Sequence, residues 1–128
     1  MRDISDKYST LRSATAIASV RMAPAFIHRI TENRVEKGNV LETAKVAGTM
    51  AAKKTSELIP YCHPLPIDNI KVEFKALKDK IEIRASASTI WKTGIEMEAL
   101  TACAVAALTI YDMVKSLDAN AVIEEIKL

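Results

Sequence analysis

Aromatic residues are scarce in this sequence, and neither sign of charge is in large excess. Aromatic side chains make up 5% of its 128 residues, which argues against a surface that stacks nucleic acid bases. Eighteen Lys and Arg and sixteen Asp and Glu give a net charge of +2, too balanced for a dedicated DNA-binding or membrane-binding protein. Hydrophobic residues make up 49%, so we expect one folded domain over residues 1–128.

Cysteine and long hydrophobic runs are also scarce. Cys62 and Cys103 lie far apart in unrelated contexts, which favours reduced thiols over a disulfide framework. No run approaches the length of a transmembrane helix, and the N-terminus lacks the charged-then-apolar order of a signal peptide. We therefore expect a cytoplasmic protein that binds neither membrane nor nucleic acid.

Common motifs of metal and phosphate sites are absent as well. There is no CxxC, HExxH or GxxxxGKS/T, and the only histidine besides His63 is His28, so we expect no metal. The prolines around Cys62-His63 predict a stiff, extended loop. A Cys nucleophile beside a His base is a weak interpretation, because adjacent residues in an extended loop point apart. The loop either simply ends a helix or forms a rigid wall that presents His63 and backbone groups to a polar ligand.

Hydrophobic periodicity predicts the order β-α-α-β-β-α-β. The predicted elements are a strand over 12–22, a helix from Pro24 to about Asn33, a helix from Val40 to about Lys54, strands over 70–74 and 81–88, a long helix up to Lys115 and a strand over 121–128. Gly48 inside the second helix implies that another backbone comes close. The order is typical of a ferredoxin-like α+β fold, an antiparallel sheet with helices packed on one face and an extra N-terminal helix.

The long helix after Lys92-Thr93-Gly94 is apolar nearly all round. One stripe is suited to pack on a sheet: Leu100, Cys103, Ala104, Ala107, Tyr111, Val114 and Leu117. The opposite side is also small or apolar: Ala102, Val105, Ala106, Thr109 and Met113. We expect this second side to be covered by another subunit.

The charges on this helix allow two interpretations. Glu98 and Asp112 share a side, about 20 Å apart along the axis, and Lys115 follows Asp112 at i+3 and can pair with it. Acids at a helix start and bases at its end also suit the helix dipole, but Asp112 near the C-terminus opposes it. A catalytic pair and a structural ion pair look alike in sequence.

Lysines recur at predicted turns and helix ends. Lys37 precedes a glycine, Lys53 and Lys54 end the second helix, and Lys92 precedes Thr93-Gly94. Each alone is typical of solvated surface. Together they indicate a ligand that carries phosphate.

Several runs of the sequence resemble one known family over nearly the whole chain. The runs that match are Lys37-Gly38-Asn39-Val40, Ala47-Gly48, Ala51-Ala52-Lys53, Leu58 to Leu65 (LIPYCHPL), Lys92 to Ala102 (KTGIEMEALTA) and Ala107 to Met113 (ALTIYDM). The chain resembles the MoaC family of molybdenum cofactor biosynthesis, the cyclic pyranopterin monophosphate synthases.

The resemblance implies a lyase that needs no cofactor. Its substrate is (8S)-3',8-cyclo-7,8-dihydroguanosine 5'-triphosphate, which a radical enzyme makes from GTP, and its products are cyclic pyranopterin monophosphate and diphosphate. It also implies a ferredoxin-like fold assembled as a homohexamer, a trimer of dimers with the site at the dimer interface.

Site residues follow from the resemblance position by position. Asp112 matches the active-site aspartate, and Lys115 and Lys37 match essential lysines, with Lys115 as general base and Lys37 as general acid. The remaining matches are substrate contacts and a basic wall that binds the triphosphate: Tyr61, Cys62, His63, Met97, Glu98, Arg12 and Lys53.

Three departures from the family pattern bear on activity. Asn39 stands where an Asp is usual, which weakens the expected turn or a supporting pair, and Tyr61 is bulkier than the usual aliphatic residue. The family commonly continues past its last strand into a KxGGK tail whose second lysine helps the site, whereas the sequence ends at Leu128. Either such a tail lies beyond these 128 residues or the protein lacks that lysine, and only the second case would lower activity. Two rival interpretations remain: an oligomeric regulator that binds a nucleotide or metabolite, and an RNA-binding domain, which the lack of aromatics on the strands disfavours.

Overall fold

The computed structural model describes residues 1–128 and contains one antiparallel sheet. The strands are β1 (Thr10–Arg21), β2 (Asn69–Ala76), β3 (Lys80–Trp91) and β4 (Val122–Lys127), in the order β2-β3-β1-β4. The helices are α1 (Pro24–Thr31), α2 (Val40–Lys53), α3 (Thr55–Leu58) and α4 (Glu96–Val114). The ferredoxin-like α+β prediction is confirmed, while α3 was not predicted and β3 runs further than the predicted strand.

Alanines on the inner face of the two central strands make room for α4. Ala16 lies opposite Ala85 and Ala14 opposite Ala87 in the antiparallel register. Ala16 and Ala85 are fully buried, and so are Ala107 and Ile110 of α4. Small side chains in both layers let the helix lie close to the sheet. This part of the core is therefore filled by close contact between backbones and small side chains, not by bulky residues.

The opposite side of α4 is covered by α2 of the same chain, so the prediction that a second subunit supplies this cover is wrong for its central part. Ala102 and Ala106 are fully buried and Met113 nearly so. A Cβ on Gly48 of α2 would lie 2.9 Å from the Ala102 carbonyl oxygen. Gly48 is therefore required by the close approach of the two helices, as its place inside a helix predicted.

The turn before α2 holds its shape through two residues. Gly38 has φ +119°, a conformation that side chains rarely adopt, and its N–H donates to the Val35 carbonyl. The Asn39 side chain accepts a hydrogen bond from the Glu42 N–H at 3.1 Å and so caps α2. The N-cap is thus formed even though Asn stands where the family usually has Asp.

The outer surface of the helical layer retains exposed apolar side chains. Val46 and Met50 of α2 are 61% and 46% exposed, and Leu108 of α4 is 56% exposed. By length and composition alone α4 could cross a membrane, which inspection of the sequence did not anticipate. However, 56% of its most apolar 18-residue stretch is buried within this fold, as in the core helix of a globular domain.

Candidate active site

Two lysines from distant parts of the chain hold one carboxylate at the C-terminal end of α4. The Lys115 Nζ lies 2.9 Å from Asp112 Oδ1, and the Lys37 Nζ lies 3.2 Å from Asp112 Oδ2. The i+3 spacing predicted the first contact. The second crosses 75 residues and depends on the Gly38 turn, which places Lys37 beside α4.

Lys37 also donates to the Asp112 backbone carbonyl at 3.0 Å. The last carbonyls of a helix have no partner inside the helix and carry its partial negative charge. A lysine at this position therefore satisfies a free carbonyl and also offsets the unfavourable placement of Asp112. These contacts could simply stabilise the end of the helix. They could also form a binding site, because the side chains of Lys37, Asp112 and Lys115 remain about half exposed.

The charges in this cluster reinforce one another. Hydrogen bonds from Lys115 and then Lys37 hold the pKa of the Asp112 carboxyl below its usual value. The Asp112 carboxylate in turn raises the pKa of the Lys115 ammonium. Asp112 is therefore ionised and Lys115 protonated near neutral pH, and the cluster carries a net positive charge that attracts anions.

A second group of predicted residues surrounds a cavity at the other end of α4. The cavity has a volume of about 320 Å³. Its lining combines the proline-rich loop with the start of α4: Ile59, Tyr61, Cys62, His63, Leu65, Thr93, Gly94, Glu96 and Met97. Tyr61 is 78% exposed at its rim. The loop therefore does form a wall of a cavity, rather than only ending a helix.

Glu98 is the most deeply buried acid near this cavity. It is 3% exposed, and its Oε2 has no hydrogen-bond partner. The Cys62 thiol donates to its Oε1 with an S···O distance of 3.8 Å. Burial raises the pKa of the Glu98 carboxyl, and burial followed by the nearby Glu98 charge raises the pKa of the Cys62 thiol. Cys62 is thus a neutral hydrogen-bond donor here and not an activated thiolate nucleophile.

Arg12 and Lys53 neither contact Asp112 nor line the cavity at the start of α4. Arg12 is on β1 opposite Thr89, and its Nε is buried without a partner. Lys53 is exposed at the end of α2 and lines a separate cavity of about 520 Å³ beside residues 65–70. No group of three or more His, Cys, Asp or Glu side chains is arranged to hold a metal ion.

One chain does not bring the two main groups together. Glu98 and Asp112 lie on the same helix, and fourteen residues of α-helix span about 21 Å. Glu96, which lines the cavity, was not singled out from the sequence. The signal was Gly94: the Glu96 carboxylate occupies the space where a Cβ of residue 94 would stand.

Comparisons of this chain with a family model and with individual known proteins all point to one family. The MoaC family model matches residues 1–128. Proteins named cyclic pyranopterin monophosphate synthase are similar to this chain: that of Aquifex aeolicus is 48% identical over 126 residues, that of Thermoanaerobacter sp. 51% over 130, and that of Bordetella avium 50% over 131. These alignments cover 98%, 100% and 100% of this chain, and 50%, 82% and 80% of the relatives. The chain spans half the length of the Aquifex protein, and it belongs to the MoaC family.

Proposed function

We infer that this chain is a cyclic pyranopterin monophosphate synthase of molybdenum cofactor biosynthesis. The reaction is the conversion of the cyclic dihydroguanosine triphosphate to cyclic pyranopterin monophosphate with release of diphosphate. The observation that carries this inference is the contact of Lys37 and Lys115 with one carboxylate of Asp112. It combines two proton carriers with the positive charge that a departing diphosphate requires.

Proton transfer in this cluster depends on the Asp112 carboxylate. A lysine can act as a base only after it has lost its proton, and Asp112 stabilises the protonated Lys115. For Lys115 to act as general base, Asp112 must turn away from it, towards Lys37 or the substrate. Lys37 keeps a second acceptor in the Asp112 carbonyl and stays in place as the general acid.

The cavity at the other end of α4 suits the ring system of the substrate. It presents the Cys62-His63 loop on one side and Met97 on the other. Glu98 lies against Cys62 and offers an unpartnered carboxyl oxygen. Tyr61 adds an exposed aromatic face at the rim. Arg12 and Lys53 supply further positive charge for the triphosphate.

We propose that two chains complete one site in a cytoplasmic homohexamer, a trimer of dimers. The catalytic cluster and the ring cavity lie at opposite ends of α4, so antiparallel packing of two α4 helices brings the start of one beside the end of the other. The exposed Val46, Met50 and Leu108 supply apolar area for such contact. The same arrangement provides the subunit cover that the sequence predicted, on the outer rather than the α2-facing side of the helix.

Replacing Leu108 with Glu is expected to split the dimer and lower diphosphate release per chain by about tenfold or more, since a buried unpaired charge opposes association. Size-exclusion chromatography with light scattering measures the mass, and circular dichroism checks the fold. Leu11→Glu is the control, because Leu11 is 73% exposed on the open face of the sheet. If Leu11→Glu dissociates the protein and Leu108→Glu does not, the interface lies on the sheet instead.

Replacing Asp112 with Asn is expected to move the ascending limb of the pH–rate profile, where activity rises as the general base Lys115 loses its proton, to lower pH. Asp112 raises the pKa of Lys115, so loss of its charge lets Lys115 release its proton at a lower pH. The shift should appear in the residual activity, measured as diphosphate release across a pH series. An ascending limb at the same pH in both proteins would show that Lys115 is not the base that titrates there.

The decisive experiment is an assay of the purified protein with the authentic cyclic triphosphate. We expect diphosphate and cyclic pyranopterin monophosphate in equal amounts. Tight binding of the triphosphate without diphosphate release would instead identify a regulator that senses this nucleotide.

A further inference from the structure

Thr89 is a buried polar residue on the face of the sheet that packs under the helices. It is fully buried on β3, on the same side of the strand as the buried Ala85 and Ala87. Its hydroxyl donates a hydrogen bond to the backbone carbonyl of Pro66, in the proline-rich loop. A buried hydroxyl costs free energy unless it is hydrogen-bonded, so this bond connects the loop firmly to the core of the sheet.

Two further hydrogen bonds fix the same end of the loop to β3. The Asp68 N–H donates to the Ser88 carbonyl at 3.0 Å, and the Ile90 N–H donates to the Asp68 carboxylate at 2.8 Å. Three consecutive residues of β3 therefore hold residues 66–68. Asp68 is exposed, so its carboxylate also has access to water, whereas the Thr89 hydroxyl has no alternative partner in the core.

The loop from His63 to Pro66 is stiff, so the position of one end sets the position of the other. Prolines at 64 and 66 fix their own φ angles and restrict the residue before each of them to extended conformations. At the other end, the Cys62 thiol contacts Glu98 at an S···O distance of 3.8 Å. A thiol is a weak donor, so the bond to the Pro66 carbonyl is the stronger tie.

The loop segment that Thr89 holds lies between two cavities. Leu65 lines both the cavity of about 320 Å³ at the start of α4 and the cavity of about 520 Å³ beside Lys53, and Pro66 lines the second. Thr89 also lies opposite Arg12 of β1, and residues paired in this way point to the same face of a sheet. Thr89 is therefore placed between the loop and a residue assigned to the basic wall.

We propose that Thr89 is a positioning residue for the substrate. Its hydroxyl holds the Pro66 carbonyl, and through the stiff loop it sets where His63 and Leu65 lie against the bound ring system. Neither Thr89 nor Pro66 contacts the lysines around Asp112, so loss of the hydroxyl weakens binding and leaves proton transfer unchanged. The proposal rests on the proposed function for the identity of the substrate.

Thr89→Val and Thr89→Ser separate the hydroxyl from the space that the side chain fills. Valine keeps the volume but leaves the Pro66 carbonyl without its donor. The KM for the cyclic triphosphate should therefore rise by about two- to tenfold, with kcat within about twofold of the wild type. Serine keeps the donor and removes one methyl group, so its KM should stay close to that of the wild type. The pH–rate profile should have the same limbs in all three proteins, because no proton carrier changes.

Asp68→Ala tests the same end of the loop at an exposed residue, whose loss leaves the core intact. It should raise KM in the same direction as Thr89→Val. Thr15→Val is the control, because it makes the same chemical change on β1, where the hydroxyl meets that of Ser86 at 3.2 Å in an exposed position, and its KM should not change. Hydrogen exchange measured by mass spectrometry should become faster in residues 59–69 of Thr89→Val and Asp68→Ala and stay the same in α4.

Two results would overturn this proposal. The first is a folded Thr89→Val protein with the KM of the wild type, which would show that the hydroxyl serves the stability of the core alone. The second is a Thr89→Ser protein with the raised KM of Thr89→Val, which would show that packing of the methyl group sets KM. If Thr89→Val does not fold, wild-type KM and exchange in Asp68→Ala overturn it instead. Diphosphate release by the wild type is measured first, so failure of the proposed function is recognised separately.

Discussion

Replacing Lys115 with Ala should lower diphosphate release by about two to four orders of magnitude, the usual contribution of a positioned proton carrier. Lys115 Nζ lies 2.9 Å from Asp112, and its side chain is 54% exposed. The variant therefore removes a proton carrier and a positive charge without opening a cavity in the core. Thermal unfolding should change little, because an ion pair between exposed side chains contributes little to stability.

Lys71→Ala provides a matched control for this variant. Lys71 forms an exposed ion pair with Glu73 at 2.6 Å on the edge strand β2, away from both ends of α4. Its loss removes the same charge from the surface and should leave turnover unchanged. Steady-state assays of both variants, with melting curves, separate a role in the reaction from a general effect of charge. Unchanged turnover in a folded Lys115→Ala protein would refute the assigned role.

Local sequence patterns predicted most helices and strands of this fold and one of the two contacts of Asp112, the one with Lys115. The alternating apolar residues of β1, β2 and β3 and the continuous apolar helix α4 follow directly from their periodicity. The pair of Asp112 with Lys115 follows from its i+3 spacing. These features depend on neighbours in sequence, so a single sequence contains the information.

Contacts between segments that are distant in the sequence could not be predicted from it. Lys37 reaches Asp112 across 75 residues, and Cys62 reaches Glu98 across 36. Periodicity shows that a helix face is apolar but does not show which element covers it. The burial of Ala102 and Ala106 under α2 was therefore assigned to another subunit, although Gly48 had already indicated a close neighbour. A glycine inside a helix marks a contact without naming the partner.

The residues of the candidate site fall into two groups, one at each end of α4. The family resemblance names residues from both ends, and the structure groups them by element: Lys37, Asp112 and Lys115 at one end of α4, and Cys62, Met97 and Glu98 at the other. The length of α4 keeps these groups apart in one chain. Any single site that uses both must take its second half from another copy, which makes the assembly part of the chemistry.

Replacing Gly48 with Val should lower the free energy of unfolding by about 3 kcal/mol, the upper part of the range for overpacking a core. The added Cβ would lie 2.9 Å from the Ala102 carbonyl oxygen and 3.3 Å from the Ala106 Cβ. A backbone oxygen cannot rotate away, so α2 has to move off α4. Thermal or urea unfolding monitored by circular dichroism measures the loss.

Lys45→Val separates this clash from helix propensity. Lys45 is exposed on α2 and pairs with Glu42 at 3.3 Å, so a valine there adds the propensity penalty and removes this surface pair, together about 1 kcal/mol or less. Equal stability losses in the two variants would show that the α2–α4 contact is not as close as 2.9 Å implies. A folded Gly48→Val protein should also lose turnover, because the turn with Lys37 leads directly into α2. If α2 lifts from α4, Lys37 moves away from Asp112, and the cluster loses one of its two cations without any change to its own residues.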